Sequence, residues 1–533
     1  MHIQKLLTLF LAITFLTTCK KEGITDANTG PTYQEQHRPQ LHFSPPTQWM
    51  NDPNGMVFFD DEYHLFYQYY PDSTVWGPMH WGHAVSKDLT HWEHLPIAIA
   101  PDEKGYIFSG SAVVDWDNTS GFSKDGEPPL VAIFTYHDPE GEKSGAIDFQ
   151  SQAIAYSNDR GRTWTKYENN PVVPNPGIRD FRDPKVIWDA DNDQWVMVLA
   201  AQDQVMFYTS KDLKAWRYLS QFGKNRGAHG GVWECPDLFP VTISGTGARK
   251  WVLLVSINPG GPNGGSATQY FIGDFDGLRF RLDPEFGAEM ARQAKKDSTG
   301  VAASWVDYGR DNYAGVTWSD LPQEDASRIF MGWMSNWDYA QVVPTALWRS
   351  AMTLPRQFQV KETAMGPRLF QNFVEELRTL RGEQHEVDIT ASPGNPQDLG
   401  VSPQQLEIIL EVATSNTGSF GFELSNSKGE VYRVGYDADA KAYFSDRTKS
   451  GKLDFSEKFA PSIHYAPKQL EGVLVNMHLI FDVSSVELIA DDGLTAITDV
   501  FFPSEDFTMI RFFKEEEGMG IQRLEVYPLE GIW

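Results

Sequence analysis

The sequence predicts an all-β chain in which a five-bladed β-propeller is followed by a C-terminal β-sandwich. Three observations carry that expectation. A strand-turn-strand pattern recurs five times in about the first 350 residues, no long segment has helical period, and the pattern changes character past Pro355. A chain of 533 residues also exceeds what one hydrophobic core ordinarily supports, so two domains are the default.

Three copies of the repeat open on an acidic residue and a turn, followed by a short apolar strand, a polar turn and a second apolar strand. Asp52-Pro53-Asn54-Gly55 leads into Met56-Val57-Phe58-Phe59 and then His64-Leu65-Phe66-Tyr67-Gln68. Asp183-Pro184-Lys185 leads into Val186-Ile187-Trp188 and Trp195-Val196-Met197-Val198-Leu199, and Glu234-Cys235-Pro236-Asp237 into Leu238-Phe239 and Trp251-Val252-Leu253-Leu254-Val255. Weaker copies start at Ser109-Gly110-Ser111 and Asn312-Tyr313-Ala314. The spacing is roughly 50 to 80 residues, slightly longer than an ordinary blade of about 40 to 50. A Ser and an Asp also recur ahead of Trp92, Trp164 and Trp216 (Ser86-Lys87-Asp88, Ser157-Asn158-Asp159, Ser210-Lys211-Asp212), as turns near the ends of equivalent strands would. A sandwich of short strands is the alternative for this region.

These patterns divide the chain. Residues 37–355 form the propeller, 356–380 a linker in which 370–377 is a short helix, and 381–533 the sandwich, with alternating strands at 406–412 and 477–483. Ahead of them, Met1-His2-Ile3-Gln4-Lys5 and an apolar run over 6–16 have the layout of a signal peptide. Leu16-Thr17-Thr18-Cys19 resembles a bacterial lipobox, which makes 1–19 a lipoprotein signal with Cys19 lipidated and the mature chain anchored facing the periplasm or the cell surface; ordinary signal cleavage near Cys19 is the alternative. Polar residues over 20–36 read as a flexible tether. With Cys19 acylated, Cys235 has no partner and an intrachain disulfide is excluded.

A formal net charge of −27 and a pI near 4.8 repel phosphate backbones, which argues against a nucleic-acid partner. No apolar run after the leader approaches the roughly 20 residues that cross a bilayer, so membrane contact is expected only through the anchor. The 17 Trp, 20 Tyr and 33 Phe suit a sugar-binding cleft as well as an aromatic-rich β core.

In a propeller, equivalent points of the inner strands face one central channel. Asp52, Asp183 and Glu234 are therefore expected at one mouth. A single Asp-Pro turn is ordinarily structural, because Asp caps turns through the backbone. Three carboxylates at repeat heads are another matter: they repel one another and cost stability unless a site needs them. Retaining glycoside hydrolysis uses two carboxyls about 5 to 5.5 Å apart, one attacking the anomeric carbon and one protonating the leaving oxygen, and a third can hold the sugar. The residues alone leave open which carboxyl does which. Calcium is the rival use, but its loops space their ligands closely along one segment. Asp189-Ala190-Asp191-Asn192-Asp193 lacks the Gly and the distal Glu of such a loop and reads as an acidic hairpin turn. No metal or cofactor is expected.

At these residues the sequence resembles glycoside hydrolase family 32, the family of invertases, inulinases and levanases, from about His37 to the C-terminus. Trp49-Met50-Asn51-Asp52-Pro53-Asn54-Gly55 resembles its nucleophile motif, Arg182-Asp183-Pro184 the segment of its transition-state stabiliser, and Glu234-Cys235-Pro236 its acid/base motif. The resemblance implies a five-bladed propeller with a sandwich, Asp52 as nucleophile, Asp183 as stabiliser and Glu234 as acid/base. It further implies substrate contacts from Asn51, Gln68 of Phe66-Tyr67-Gln68-Tyr69, Trp76 of Trp76-Gly77-Pro78, Phe108 and Ser109 of Phe108-Ser109-Gly110-Ser111, Arg182, Tyr313 and Trp337, with Trp81 in the core and Cys235 beside the acid/base. Tyr70 stands where many relatives have Asn. The segment from Trp76 to His83 is more similar to exo-acting fructan β-fructosidases than to sucrose-specialised invertases. The implied partner is a fructan or fructo-oligosaccharide, with sucrose as a further substrate. Endo-acting cleavage, transfer of fructose to a sugar and a non-catalytic surface fructan-binding protein are the alternatives.

Overall fold

The structure is a computed structural model that describes residues 32–296, 301–322, 328–413, 418–472 and 474–533. Cys19, the leader and most of the tether lie outside these residues, and Tyr33–Trp533 pack as one unit. Among the described residues, five four-stranded antiparallel meanders follow one another along the chain. Their first strands are Gln48–Phe59, Tyr106–Val114, Phe181–Asp189, Val232–Thr242 and Tyr313–Thr317, in blades I to V. Those first strands touch each other in a closed ring, I to II and onward until V meets I, which makes them the inner strands of a propeller. Radial repetition of this kind leaves each blade only short, protected sheet edges.

The Ser-Asp recurrences sit at one point of three blades, where the third strand ends. Ser86, Ser157 and Ser210 each donate to the Asp two residues on, at 3.1, 2.7 and 3.1 Å. That carboxylate then accepts from amides of the turn that follows, such as His91 (2.8 Å), Thr163 (2.9 Å) and Ala215 (2.8 Å). The repeat is thus a side-chain-capped turn, which frees the chain to reverse without orphaned N–H groups. The acidic stretch 190–193 is the hairpin turn between Phe181–Asp189 and Gln194–Ala201.

Two boundaries differ from the sequence reading. Arg356–Thr363 and Gly366–Phe373 are not a linker; they are the third and fourth strands of blade V, paired to each other and to Arg328–Met334. Phe358 and Val360 alternate inward with Leu369 onto the core shared with blade IV, the period-two pattern of a half-buried strand. The segment 370–377 therefore divides, with strand up to Phe373 and a six-residue 3-10 helix at Glu375–Leu380. The tether also ends early: Tyr33 stacks on Trp533 at 4.1 Å and its hydroxyl meets His94 Nε2 at 2.7 Å, while Gln36 donates to the Ser504 carbonyl at 3.0 Å.

The C-terminal region is a sandwich of a six-stranded and a five-stranded sheet. Leu406–Ala413 pairs with Leu474–Asp482, and Leu406, Ile408, Leu410 and Val412 all point into the buried interior. Its interface with the propeller is ionic as well as apolar. His42 is buried with one ring nitrogen 2.7 Å from Asp482 and the other 3.0 Å from Glu487, so both nitrogens carry protons and the ring is held charged. Arg356 bridges Glu487 to Asp307. A second junction joins Arg447 of the sandwich to Asp311 at 2.6 Å, with Tyr339 donating to the other oxygen of Asp311 at 2.6 Å. Since buried charges are costly unless paired and hydrogen-bonded, these junctions hold one docking geometry. Asp311 lies two residues before Tyr313, so the sandwich braces a strand that enters the site.

Candidate active site

Each inner strand carries a break in its pairing register at the same depth: between Met50 and Pro53, Phe108 and Gly110, Arg182 and Lys185, Glu234 and Asp237, and Tyr313 and Val316. Such bulges re-aim side chains and interrupt the strict alternation of a strand. Asp183, Cys235 and Ala314 take the positive φ that goes with them, at 63, 43 and 54°. As a result, consecutive residues such as Arg182 and Asp183 both reach the channel mouth.

The bulges also correct the repeat alignment. Counted from these breaks, Glu234 is the last paired residue before its bulge, as Arg182 is, whereas Asp183 is the first residue of its bulge and Asp52 the second of its own. The three acids meet because the bulge lets neighbouring residues face one way, not because they occupy one repeat position.

Ten of the eleven residues singled out from the sequence line one cavity of about 250 Å³: Asn51, Asp52, Gln68, Trp76, Phe108, Ser109, Arg182, Asp183, Glu234 and Trp337. Tyr313 is buried behind them and donates its hydroxyl to Glu234 Oε2. Asp52 accepts from Ser109 Oγ at 2.8 Å and Asn51 Nδ2 at 3.1 Å, and Asn51 is itself fixed by the Trp49 indole N–H at 2.7 Å. Arg182 donates to Glu234 Oε1 at 2.9 Å through Nη2 and to Asp180 at 2.7 Å through Nη1, with Nε 3.9 Å from Asp183. The Cys235 amide donates to Asp183 Oδ2 at 3.0 Å, and the Cys235 thiol lies 3.5 Å from Asp52 and 3.6 Å from Asp183. One sulfur thus touches both aspartates.

Burial drives the electrostatics. It raises the Asp52 carboxyl above the usual range, Glu234 adds to the rise, and the donors from Ser109, Asn51 and Cys235 oppose it. Asp183 is pushed up to about 7 by burial against the pull of Arg182, with Glu234 and Asp52 raising it further. Burial beside the same three acids holds the Cys235 thiol well above its ordinary value, so the thiol stays protonated and donates.

One wall is aromatic. Phe108 stacks on His137 at 4.3 Å, Trp76 meets Phe108 edge-on at 6.1 Å, and Trp337 packs 5.9 Å from Trp49 on the facing side. Burial and the nearby Arg182 charge lower the His137 ring to about 4, so it is neutral at pH 7. Gln68 is buried with Nε2 unpartnered among the described residues, a donor aimed into the cavity. Trp81 is fully buried and donates to the Phe108 carbonyl at 3.0 Å.

Sequence reasoning missed several residues of this site. Asp180, two residues before Arg182 and so on its face of the chain, was open to a period-two argument. Thr135, whose hydroxyl accepts from the Asp183 amide at 3.0 Å, comes from the neighbouring strand of blade II and left no local signal. His137, Phe149 and Gln150 line the rim, as does Glu142 from the short helix Pro139–Ser144.

Known proteins share this architecture along most of the chain. Residues 42–372 match the model of the glycosyl hydrolases family 32 N-terminal domain, and residues 374–528 that of the family's C-terminal domain. A levanase of Bacillus subtilis is 46% identical over 535 residues, spanning 99% of this chain and 76% of that protein. An extracellular exo-inulinase of Aspergillus niger is 38% identical, spanning 97% of this chain and 98% of its own. Among solved structures, the exo-inulinase of Aspergillus awamori superposes with a TM-score of 0.83 at 35% identity, covering 94% of this chain and 100% of that one. The β-fructofuranosidase of Schwanniomyces occidentalis complexed with fructosyl-erythritol gives 0.81 at 32% identity, covering 93% and 98%. Two family models in tandem, a relative of 46% identity and a propeller whose bulged strands deliver three carboxylates to one mouth have a single reading: the chain belongs to glycosyl hydrolase family 32.

Proposed function

We propose that the protein is a retaining fructan β-fructosidase that removes terminal β-D-fructofuranosyl units, with Asp52 as nucleophile, Glu234 as acid/base and Asp183 as stabiliser of the sugar. The observation that carries this reading is the clustering of the three carboxylates in one cavity, with Asp52 held from two sides by neutral donors while Arg182 and Tyr313 hold Glu234. Asp52 attacks C2 as Glu234 passes its proton to the departing oxygen; Glu234 then takes a proton from water, which opens the fructosyl ester. The Tyr313 hydroxyl serves both states, donating to the Glu234 carboxylate and accepting from the acid. Asp183 accepts from sugar hydroxyls, and those bonds strengthen as positive charge grows on the ring.

A cavity of about 250 Å³, walled by Trp76, Phe108 and Trp337, suits one terminal unit better than a chain threading past, which supports exo action. The relatives named exo-inulinase support it as well. A time course on levan and inulin tests both parts. Fructose is expected as the sole early product. Early oligosaccharides would make the enzyme endo-acting, and no release from any fructan would remove the activity itself.

Relatives described as extracellular support secretion, and the Leu16-Thr17-Thr18-Cys19 run supports a lipid anchor on Cys19. With the leader otherwise intact, Cys19→Ala is expected to shift the protein from the membrane fraction to the soluble secreted fraction. Unchanged fractionation would refute the anchor.

A further inference from the structure

The inner strands that carry the catalytic carboxylates at one end build a second, larger cavity at the other. It measures about 920 Å³, within the range of roughly 300 to 1,000 Å³ that ligand sites occupy, whereas the catalytic cavity holds about 250 Å³. Trp188 lines it five residues beyond Asp183 on the same strand, about 17 Å away at the rise of a β-strand.

The two cavities do not communicate through an open bore. Lys185 donates to the Thr317 carbonyl at 2.6 Å and pairs with Asp237 at 3.4 Å, while Asp237 accepts from both the amide (2.6 Å) and the hydroxyl (2.8 Å) of Thr317. This buried plug crosses the channel between them. A molecule in the larger cavity is therefore beyond reach of Asp52.

Two features show what the far cavity is built to hold. Trp116 and Trp188, on adjacent blades, stand at its rim with 62% and 36% of their surface exposed, in a chain whose tryptophans are otherwise mostly buried. Trp116 is not loose, because its indole N–H donates to Asp320 at 2.9 Å and orients the ring. Exposed indole faces bind the apolar C–H faces of sugars, and the electron-rich ring suits their slightly positive hydrogens. Deeper in, the Ser319 hydroxyl lines the same cavity, is 8% exposed and has no hydrogen-bond partner among the described residues, which leaves a buried donor and acceptor directed at whatever enters. A chain of net charge −27 does not recruit anions there. Rings at the rim and hydroxyl-matching groups within fit a neutral oligosaccharide.

We propose that this far mouth of the propeller is a non-catalytic binding site for a segment of the polymeric substrate, a run of fructosyl units, that keeps the enzyme on the polymer between cleavages. The proposal rests on the fructan reading of the catalytic pocket, and the experiment separates the two. Binding to levan is measured by retardation in levan-containing gels with the Asp52→Asn protein, which does not consume the matrix, and with free fructose present to fill the catalytic pocket. Adding Trp116→Ala and Trp188→Ala is expected to weaken retention about tenfold, the loss of two stacking faces, and Trp116→Phe to keep most of it. In the otherwise wild-type enzyme the same Trp pair is expected to leave kcat/KM on 1-kestose unchanged and to raise KM on levan. Fructose release from levan by the wild type is the separate check of the catalytic reading. Retention that the Trp variants do not change overturns the proposal. So does a concentration-dependent dimer that those variants break with retention intact, since the cavity would then be a self-association surface.

Discussion

Asp52→Asn is expected to lower kcat on levan, inulin and sucrose by at least about 10⁴-fold, the scale on which enzymes lose activity when a nucleophile is removed, while raising stability at neutral pH. The activity loss follows from chemistry: an amide oxygen does not form the fructosyl ester on which a retaining path depends. Asn is nearly isosteric and can still accept from Ser109 and sit against Asn51. The stability gain follows from linkage. Asp52 and Asp183 both titrate above the unfolded carboxyl range, so the folded state binds more protons than the unfolded one once pH exceeds about 4, and stability falls as pH rises. For Asp183 that window runs from about 4 to about 7. Removing the neighbouring charge relieves the cluster, and each unit of pKa is worth about 1.4 kcal/mol. The variant should therefore melt above the wild type at pH 8, and the two should converge near pH 4. Wild-type-like turnover would sink the nucleophile assignment. A variant melting below the wild type at both pH values would show instead that Asp52 contributes to stability.

The same cluster marks the limit of what was legible beforehand. Repeats place strands, because apolar alternation and capped turns such as Ser157-Asn158-Asp159 are local, and blades I to IV could be read from them. Blade V was cut short at Pro355. The excursion 335–355 between its second and third strands, which carries Trp337 and Trp348, broke the meander rhythm, and the apolar strand residues past it read as a linker. Inside the site, motif residues were legible one by one. Bulges were not: a register break depends on the partner strand, so the differing places of Glu234, Asp183 and Asp52 relative to their bulges have no signature within one segment. Contacts supplied across blades, such as Thr135 beneath Asp183, or across domains, such as Arg447 on Asp311, are beyond any local reading.

Glu234→Ala is expected to cost about 10² to 10⁴ in kcat on fructans and sucrose, the ordinary worth of a positioned general acid and base, and to do so unevenly among leaving groups. Natural leaving groups are alkoxides that need a proton as the bond breaks. An aryl β-fructofuranoside of an acidic phenol does not, and Asp52 is untouched, so the first step on that substrate should survive and release a burst of phenol. Deglycosylation should then stall for lack of a base, and azide, which needs none, should restore turnover and give the β-fructosyl azide with retained configuration. Arg182 is not stranded in this variant, because Asp180 still accepts from Nη1 and Asp183 remains 3.9 Å from Nε. The loss is therefore read at the missing proton, with the pocket otherwise in place. If the aryl and natural substrates lose rate equally and azide restores nothing, Glu234 is not the acid/base, and the residue that protonates the leaving oxygen must be sought among the other carboxylates of the cavity, Asp183, Asp180 and Glu142.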